Sequence, residues 1–288
     1  MAALLLKSYG RFVLNCLKRV SNSSRFAIAA DFHFTAINLA KCVNKPAYQT
    51  RLALPLDYDT VVDFMCEEYY KMEPTIVNIG LGNTEAPPVM RALLYEQVKA
   101  GLSIIAEDRE NCIIGAALNY VTGMNEGKRL YEIAKCCECG PMRDVVEFWA
   151  FIADAPRIWE RYCIARIFEQ ATLCVSKDYQ QLGIATRLVQ ESWVLARDCG
   201  YRLFRIDCMS SYTANIARGF GWPMLFDIPF SQYVKNGEVL FKCVKEPHTV
   251  CRVFVDHLQY CKTYCPPYKK CTTVTAPPTD VKPKKDIK

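Results

Sequence analysis

The stretch from Leu173 to Cys199 constrains the fold more than any other part of the chain. Leu173-Cys174-Val175 is a short apolar run, followed by a polar turn, Ser176 to Leu182, that ends on Gly183. Ile184, Ala185, Leu188, Val189, Leu195, Ala196 and Cys199 then recur at the spacing of an amphipathic helix. A strand that feeds a small-residue turn into a helix leaves several backbone N–H groups unpaired at the helix start, where the helix dipole adds positive potential. Such a turn suits a pyrophosphate, and small residues at Gly183 and Ala185 let phosphate oxygens reach the backbone. Neither the G-x-G-x-x-G of dinucleotide folds nor the GK[ST] ending of a P-loop is present, which disfavours NAD and ATP.

Charge narrows the partners. The chain of 288 residues carries a formal +6, but residues 1–46 hold seven basic and one acidic residue, and residues 259–288 hold seven basic and two acidic. The body between them, residues 47–258, is therefore acidic, with 22 basic and 27 acidic residues. That balance disfavours a phosphate-backbone surface and suits cationic ligands. We expect no nucleic-acid partner. The 16 cysteines are scattered through apolar segments of a long chain, as in a reducing compartment. Cys136, Cys137 and Cys139 include a CxxC spacing, and Cys261, Cys265 and Cys271 lie in the tail, yet paired zinc-ligand spacings are lacking. We read them as free thiols and expect no metal. No apolar run reaches the length of a membrane span. Residues 1–30 hold five basic residues, four serines and no acid, the composition of a mitochondrial presequence or of an unstructured basic arm. The chain is accordingly read as cytoplasmic, with a mitochondrial address as the alternative.

Pattern along the chain predicts one domain over residues 47–258, between the basic arm 1–46 and a disordered Pro/Lys/Thr-rich tail, 259–288. A strand at Arg51 to Leu54 precedes a helix capped by Asp57 and ended before Pro74. A loop through Gly80, Gly82 and Pro87-Pro88 leads to a helix from Val89 to Lys99, then to a hairpin of Ser103–Ala106 and Cys112–Val121. Asn125 to Pro141 resists assignment. A helix with Val146, Trp149, Ala150 and Ile152 follows, then strand Ile167–Val175, helix Gly183–Cys199, strand Leu203–Cys208, a short helix from Thr213, and strands near Leu225–Ile228 and Thr249–Val255.

The hexapeptide Gln180-Gln181-Leu182-Gly183-Ile184-Ala185 matches the (Gln/Arg)-x-x-Gly-x-(Gly/Ala) turn of the GNAT acetyltransferase superfamily. Around it stand Glu73-Pro74, Leu173-Cys174-Val175, Arg205-Ile206-Asp207-Cys208 with Tyr212-Thr213-Ala214, Gly221-Trp222 and Glu246-Pro247-His248-Thr249. Together these resemble the invertebrate arylalkylamine N-acetyltransferases over about Arg51 to Leu258. The resemblance implies an α/β (α+β) GNAT fold, with a central mixed, mostly antiparallel sheet splayed at the acetyl-CoA site and flanked by helices. It also implies acetyl transfer from acetyl-CoA to an arylalkylamine such as dopamine, serotonin, tyramine or octopamine. Polyamine or protein-amine acylation, and a non-catalytic acyl-CoA-binding module, are the alternatives.

Site residues follow from the same resemblance. An alkylamine near neutral pH is an ammonium, and only the neutral amine attacks a thioester, so a base is required. Glu73 stands where the family carries that base, although the solvated end of a helix stopped by Pro74 is its plainer reading. Leu173, Cys174, Val175, Gln180, Gln181, Leu182, Gly183, Ile184, Ala185 and Thr186 are the expected acetyl-CoA contacts, with the Val175 backbone facing the developing oxyanion. Asn215 is either a further contact with the CoA arm or an ordinary helix-start residue. The family's run of hydroxyls is here Cys208-Met209-Ser210-Ser211-Tyr212-Thr213. Thr213 keeps one hydroxyl, while Met209 replaces the other. Tyr212 is either a proton donor to the thiolate or a buried core aromatic. The expected partners are the small amine and acetyl-CoA, with the protein a monomer.

Overall fold

The computed structural model describes residues 47–258. The arm and tail assigned from sequence, with the cysteines of the tail, lie outside them. Seven strands form one sheet in the order β1-β2-β3-β4-β5-β7-β6, where β1 is Gln49–Leu52, β2 Ile104–Glu107, β3 Ile113–Thr122, β4 Ile167–Val175, β5 Leu203–Cys208, β6 Met224–Pro229 and β7 Val250–His257. Every neighbouring pair is antiparallel except β4 and β5. A parallel pair needs a crossover, and the helix that follows the polar turn, Ile184–Asp198, supplies it.

Side-chain alternation sorts the strands onto two cores. Ile105, Ala116, Leu118 and Cys174 face one side, and Ile104, Ala106, Ala117 and Val175 face the other. The first face is covered by α1, which runs from Tyr58–Phe64 through a π turn at Met65–Tyr69 to Tyr70–Met72, and by α2 (Pro74–Asn78), α3 (Pro88–Lys99), α4 (Glu126–Lys135) and α5 (Gly140–Asp154). A short α6 (Ile158–Tyr162) leads into β4. The second face carries α7 (Ile184–Asp198) and α8 (Ser211–Gly219). Burial of Leu188, Val189 and Leu195 on α7 contributes roughly 1.5–3 kcal/mol each. Gly115 on β3 permits this seating, because a Cβ there would lie 3.2 Å from Ile184 and 3.3 Å from Leu188. A third cluster, centred on Phe148, Phe230 and Phe241, closes the far end.

Four sequence expectations change. Asp57 stands at the N-cap position of α1, but its carboxylate accepts from Arg51 and from the Leu54 N–H at 2.7 Å rather than from the helix. Pro74–Asn78 is helical, and Asn125–Pro141 contains α4. The short helix α8 begins at Ser211 and is capped by Ser210, whose Oγ accepts from the Tyr212 N–H at 3.1 Å. Asn215 is therefore an interior helix residue, and the cap reading of it is withdrawn.

Candidate active site

Strands β4 and β5 pair only over Phe168–Gln170 and Phe204–Ile206, although β4 continues to Val175. The register of β4 against β3 also slips, with Leu118 opposite Thr172 and Asn119 opposite Gln170, leaving Ala171 as the extra residue of a bulge. Beyond that bulge the two parallel strands diverge. A cavity of about 780 Å³ passes through the gap and is lined from both faces of the sheet, by Glu73, Tyr69, Trp149 and Arg129 on one side and by Ile184, Tyr212, Thr213 and Asn215 on the other.

The polar turn forms one end of the cavity. Gln181 and Gly183 both adopt positive φ, 63° and 85°, which turns successive N–H groups outward. A non-glycine residue at Gly183 would be strained whatever the space around it. Among the described residues, the N–H groups of Gln181 to Thr186 have no backbone or side-chain acceptor, and the first intrahelical bond there runs from the Arg187 N–H to the Gly183 carbonyl at 3.0 Å. The donor set is thus uncommitted at the start of a 15-residue helix. Gln180, Gln181, Gly183, Ile184, Ala185 and Thr186 line the cavity. Leu182 is the exception, since its side chain packs on the second core.

Val175 lies where β4 meets the turn. The Ser176 N–H donates to the Ile114 carbonyl on β3, so alternation directs the Val175 N–H and carbonyl to the opposite edge, which β5 has vacated. Its carbonyl accepts from Gln180 Nε2 at 3.3 Å. Leu173 and Cys174 also line the cavity. Burial pushes the Cys174 thiol up, so it remains protonated near neutral pH and is a poor nucleophile.

Glu73 is placed by the Glu-Pro step itself. Pro74 ends α1 and opens α2, and Glu73 becomes the N-cap between them, in extended conformation. One carboxylate oxygen accepts from the Ile76 N–H at 2.7 Å and from the Thr75 hydroxyl. The other, Oε1, is buried without a partner on the cavity wall. At 3% exposure the side chain is not the solvated helix end that its sequence position suggested. Desolvation raises its pKa, partly offset by the bonds from Thr75 and Ile76. A carboxylate of raised pKa with one free oxygen is equipped to take a proton. Tyr69, presented by the π turn of α1, is so desolvated beside Glu73 that its phenol stays neutral.

On the opposite wall Tyr212 is 65% exposed, so the core reading of it is corrected. It packs edge-on against His248, with ring centroids 4.9 Å apart, while His248 Nδ1 accepts from the Ser211 N–H at 3.1 Å. That bond fixes the proton of neutral His248 on Nε2, and burial lowers the imidazole pKa. Thr213 and Met209 reach the cavity, and Asn215 does so with its Oδ1 accepting from Arg218 at 2.8 Å.

Sequence reasoning missed the inner end of the cavity. Tyr120, Glu126, Arg129, Glu169, Gln170 and Asp207 line it. Charged residues inside predicted strands were the available signal, but their pairing is non-local. Cys136 and Cys139 lie apart from the cavity lining, and among the described residues the Cys136, Cys137 and Cys139 side chains do not converge on a ligand cluster.

The fold that holds this cavity is shared with solved structures. Arylalkylamine N-acetyltransferase 2 of Aedes aegypti superposes with a TM-score of 0.69 at 20% identity, covering 74% of this chain and 99% of its own. The chain has the GNAT fold. Mosquito arylalkylamine N-acetyltransferase-like 5b gives 0.68 at 19% identity, covering 73% of this chain and 100% of that one. The polyamine N-acetyltransferase of Drosophila melanogaster gives 0.66 at 19% identity, again over 73% and 100%. No protein-family model matches the sequence. Among the described residues no helix is long and apolar enough to cross a membrane.

Proposed function

We propose that this chain is an acetyl-CoA-dependent N-acetyltransferase acting on a small primary amine, in the first instance an arylalkylamine. One observation carries the reading. The unpartnered, buried Glu73 oxygen shares a single cavity with Gln181 and Gly183 to Thr186, whose N–H groups are uncommitted. The turn and α7 are suited to a pyrophosphate, and the free edge of β4 to an amide-bearing arm lying along it. Acetyl-CoA supplies an activated acetyl group at that edge. Glu73 takes a proton from the bound ammonium, and the freed nitrogen attacks the thioester carbonyl, with the Val175 N–H facing the gap where charge gathers on the oxygen. As the C–S bond breaks, Tyr212 or Thr213 protonates the departing sulfur and recovers a proton from the new amide nitrogen. Tyr69, Tyr120 and Trp149 supply aromatic surface for an aryl group.

A second reading, acylation of an acceptor with another cation, is favoured by the carboxylates on the inner wall. The test is incubation of the purified full chain with acetyl-CoA and an amine panel, scored by thiol release and by the mass of the N-acetyl product. Acetylation of tyramine, dopamine or serotonin supports the first reading. CoA binding with no turnover on any amine replaces both readings with that of a binding module.

A further inference from the structure

The inner wall of the cavity holds one carboxylate to which no guanidinium donates a hydrogen bond. Glu96 and Glu126 share Arg129, at 2.7 and 2.6 Å, and Tyr120 also donates to Glu126. Asp207 grips Arg205 through both oxygens, at 2.7 and 2.8 Å, and Arg205 directs further donors to the Ile152 and Ala153 carbonyls at the end of α5. Glu169 is left over. Its Oε2 lies 3.9 Å from Arg205 Nε, beyond hydrogen-bond reach, and is buried with no partner. Beside it Gln170, 1% exposed, has both its amide oxygen and its amide nitrogen unpartnered.

Buried polar atoms of native proteins are paired in the great majority of cases, so three orphan atoms on adjacent residues of one cavity wall call for a ligand. Successive strand residues ordinarily face opposite sides of a sheet. Both reach this cavity because it threads the gap between β4 and β5. Glu169 lies six residues before Val175, roughly 20 Å along an extended strand from the donor-rich turn. It therefore stands at the end of the cavity remote from a pyrophosphate.

We propose that Glu169, with Gln170 beside it, is the subsite for a hydrogen-bond-donating group on the acceptor, distal to the reacting amine. Resting on the transferase reading, the assignment narrows the substrate class to amines whose far end carries a phenolic hydroxyl or a second cation, and disfavours unsubstituted arylalkylamines. Both groups donate to a carboxylate, and a cation also neutralises the charge that Arg205 leaves unmatched. Burial pushes the Glu169 carboxyl up to about 7 against the opposing pull of Arg205 and of the nearby Thr122 hydroxyl, with Asp207 and Glu126 adding to the rise. The empty subsite therefore holds a proton part of the time, and a donor replaces it.

The experiment compares wild type with Glu169→Gln on 2-phenylethylamine, tyramine and agmatine at saturating acetyl-CoA, with calorimetric binding of each amine to the CoA-loaded protein. Wild type should prefer tyramine or agmatine over 2-phenylethylamine by about tenfold or more in kcat/KM, the worth of a hydrogen bond to a charged group. Glu169→Gln should erase that preference through KM while leaving 2-phenylethylamine within about threefold, a split that a merely structural loss would not give. Gln170→Leu should act in the same direction with a smaller effect, and melting no lower than that of wild type together with unchanged CoA binding confirms folding. Loss confined to tyramine identifies the phenol as the group bound, and loss confined to agmatine identifies the cation. Equal loss on all three amines, or no preference in wild type, overturns the subsite. If no amine turns over, donor-selective binding that Glu169→Gln abolishes keeps the subsite and sinks the transferase reading, whereas unselective binding sinks the subsite.

Discussion

Replacing Glu73 separates chemistry from stability, because its two oxygens have different work. Oε2 caps α2 through the Ile76 N–H and the Thr75 hydroxyl, while Oε1 is free on the cavity wall. Glu73→Gln retains an oxygen for the cap and removes the base. Its stability should stay within roughly 0.5 kcal/mol of wild type, since an amide is cheaper to bury than a carboxylate. Glu73→Ala loses the cap as well, at about 1 kcal/mol for a typical N-cap, plus about 1–3 kcal/mol if the buried Ile76 N–H finds no other acceptor. Both variants should lose on the order of 10²–10³-fold in kcat, the usual contribution of a positioned base.

The pH profile makes the test stricter. Desolvation raises the Glu73 pKa, and only the carboxylate accepts a proton, so kcat should rise with pH through a limb above the ordinary glutamate value of about 4.3. Thiol release from acetyl-CoA measured from pH 5 to 9 reads that limb directly. In Glu73→Gln the limb should vanish while CoA affinity persists, because the turn that supplies the N–H groups is untouched. A Gln variant that keeps kcat within about threefold and the same acid limb would falsify the role given to Glu73.

Three further outcomes follow from the same geometry. Gly183→Val forces a β-branched residue into positive φ and narrows the donor-rich turn, so CoA affinity by calorimetry should fall at least tenfold or so, with strain of about 1–2 kcal/mol on the fold. Arg205→Ala leaves half-buried Asp207 and buried Glu169 without a cation, and denaturant unfolding should show a loss of about 3–5 kcal/mol. Glu169 holds its proton more tightly folded than unfolded, so its contribution is lost as pH climbs from the ordinary carboxylate range through about 7. Glu169→Gln should therefore melt above wild type at pH 8, and the difference should close toward pH 5.

What could be read in advance separates local from non-local information. The strand Leu203–Cys208 was assigned to the residue, and the strand, turn and helix around Gly183 to within a residue or two, because apolar periodicity and one glycine are local signals. Helix α2 was missed although Pro74 at its first position was a start signal, since glutamate is an uncommon cap and the helix spans five residues. Helix α4 hid in a polar stretch whose buried positions include Glu126 and Gly127, which dilute the apolar stripe. The inner wall was the least legible part. Glu126, Glu169, Arg205 and Asp207 are separated by up to 81 residues in the chain and meet only because β4 and β5 pair in parallel beside α4. Nothing in the composition of any one segment says that Arg205 is committed to Asp207 and to α5, and that commitment is what leaves Glu169 unmatched. The acidic balance of residues 47–258 pointed to a cationic ligand, whereas the choice among carboxylates depends on which one the guanidinium groups leave free.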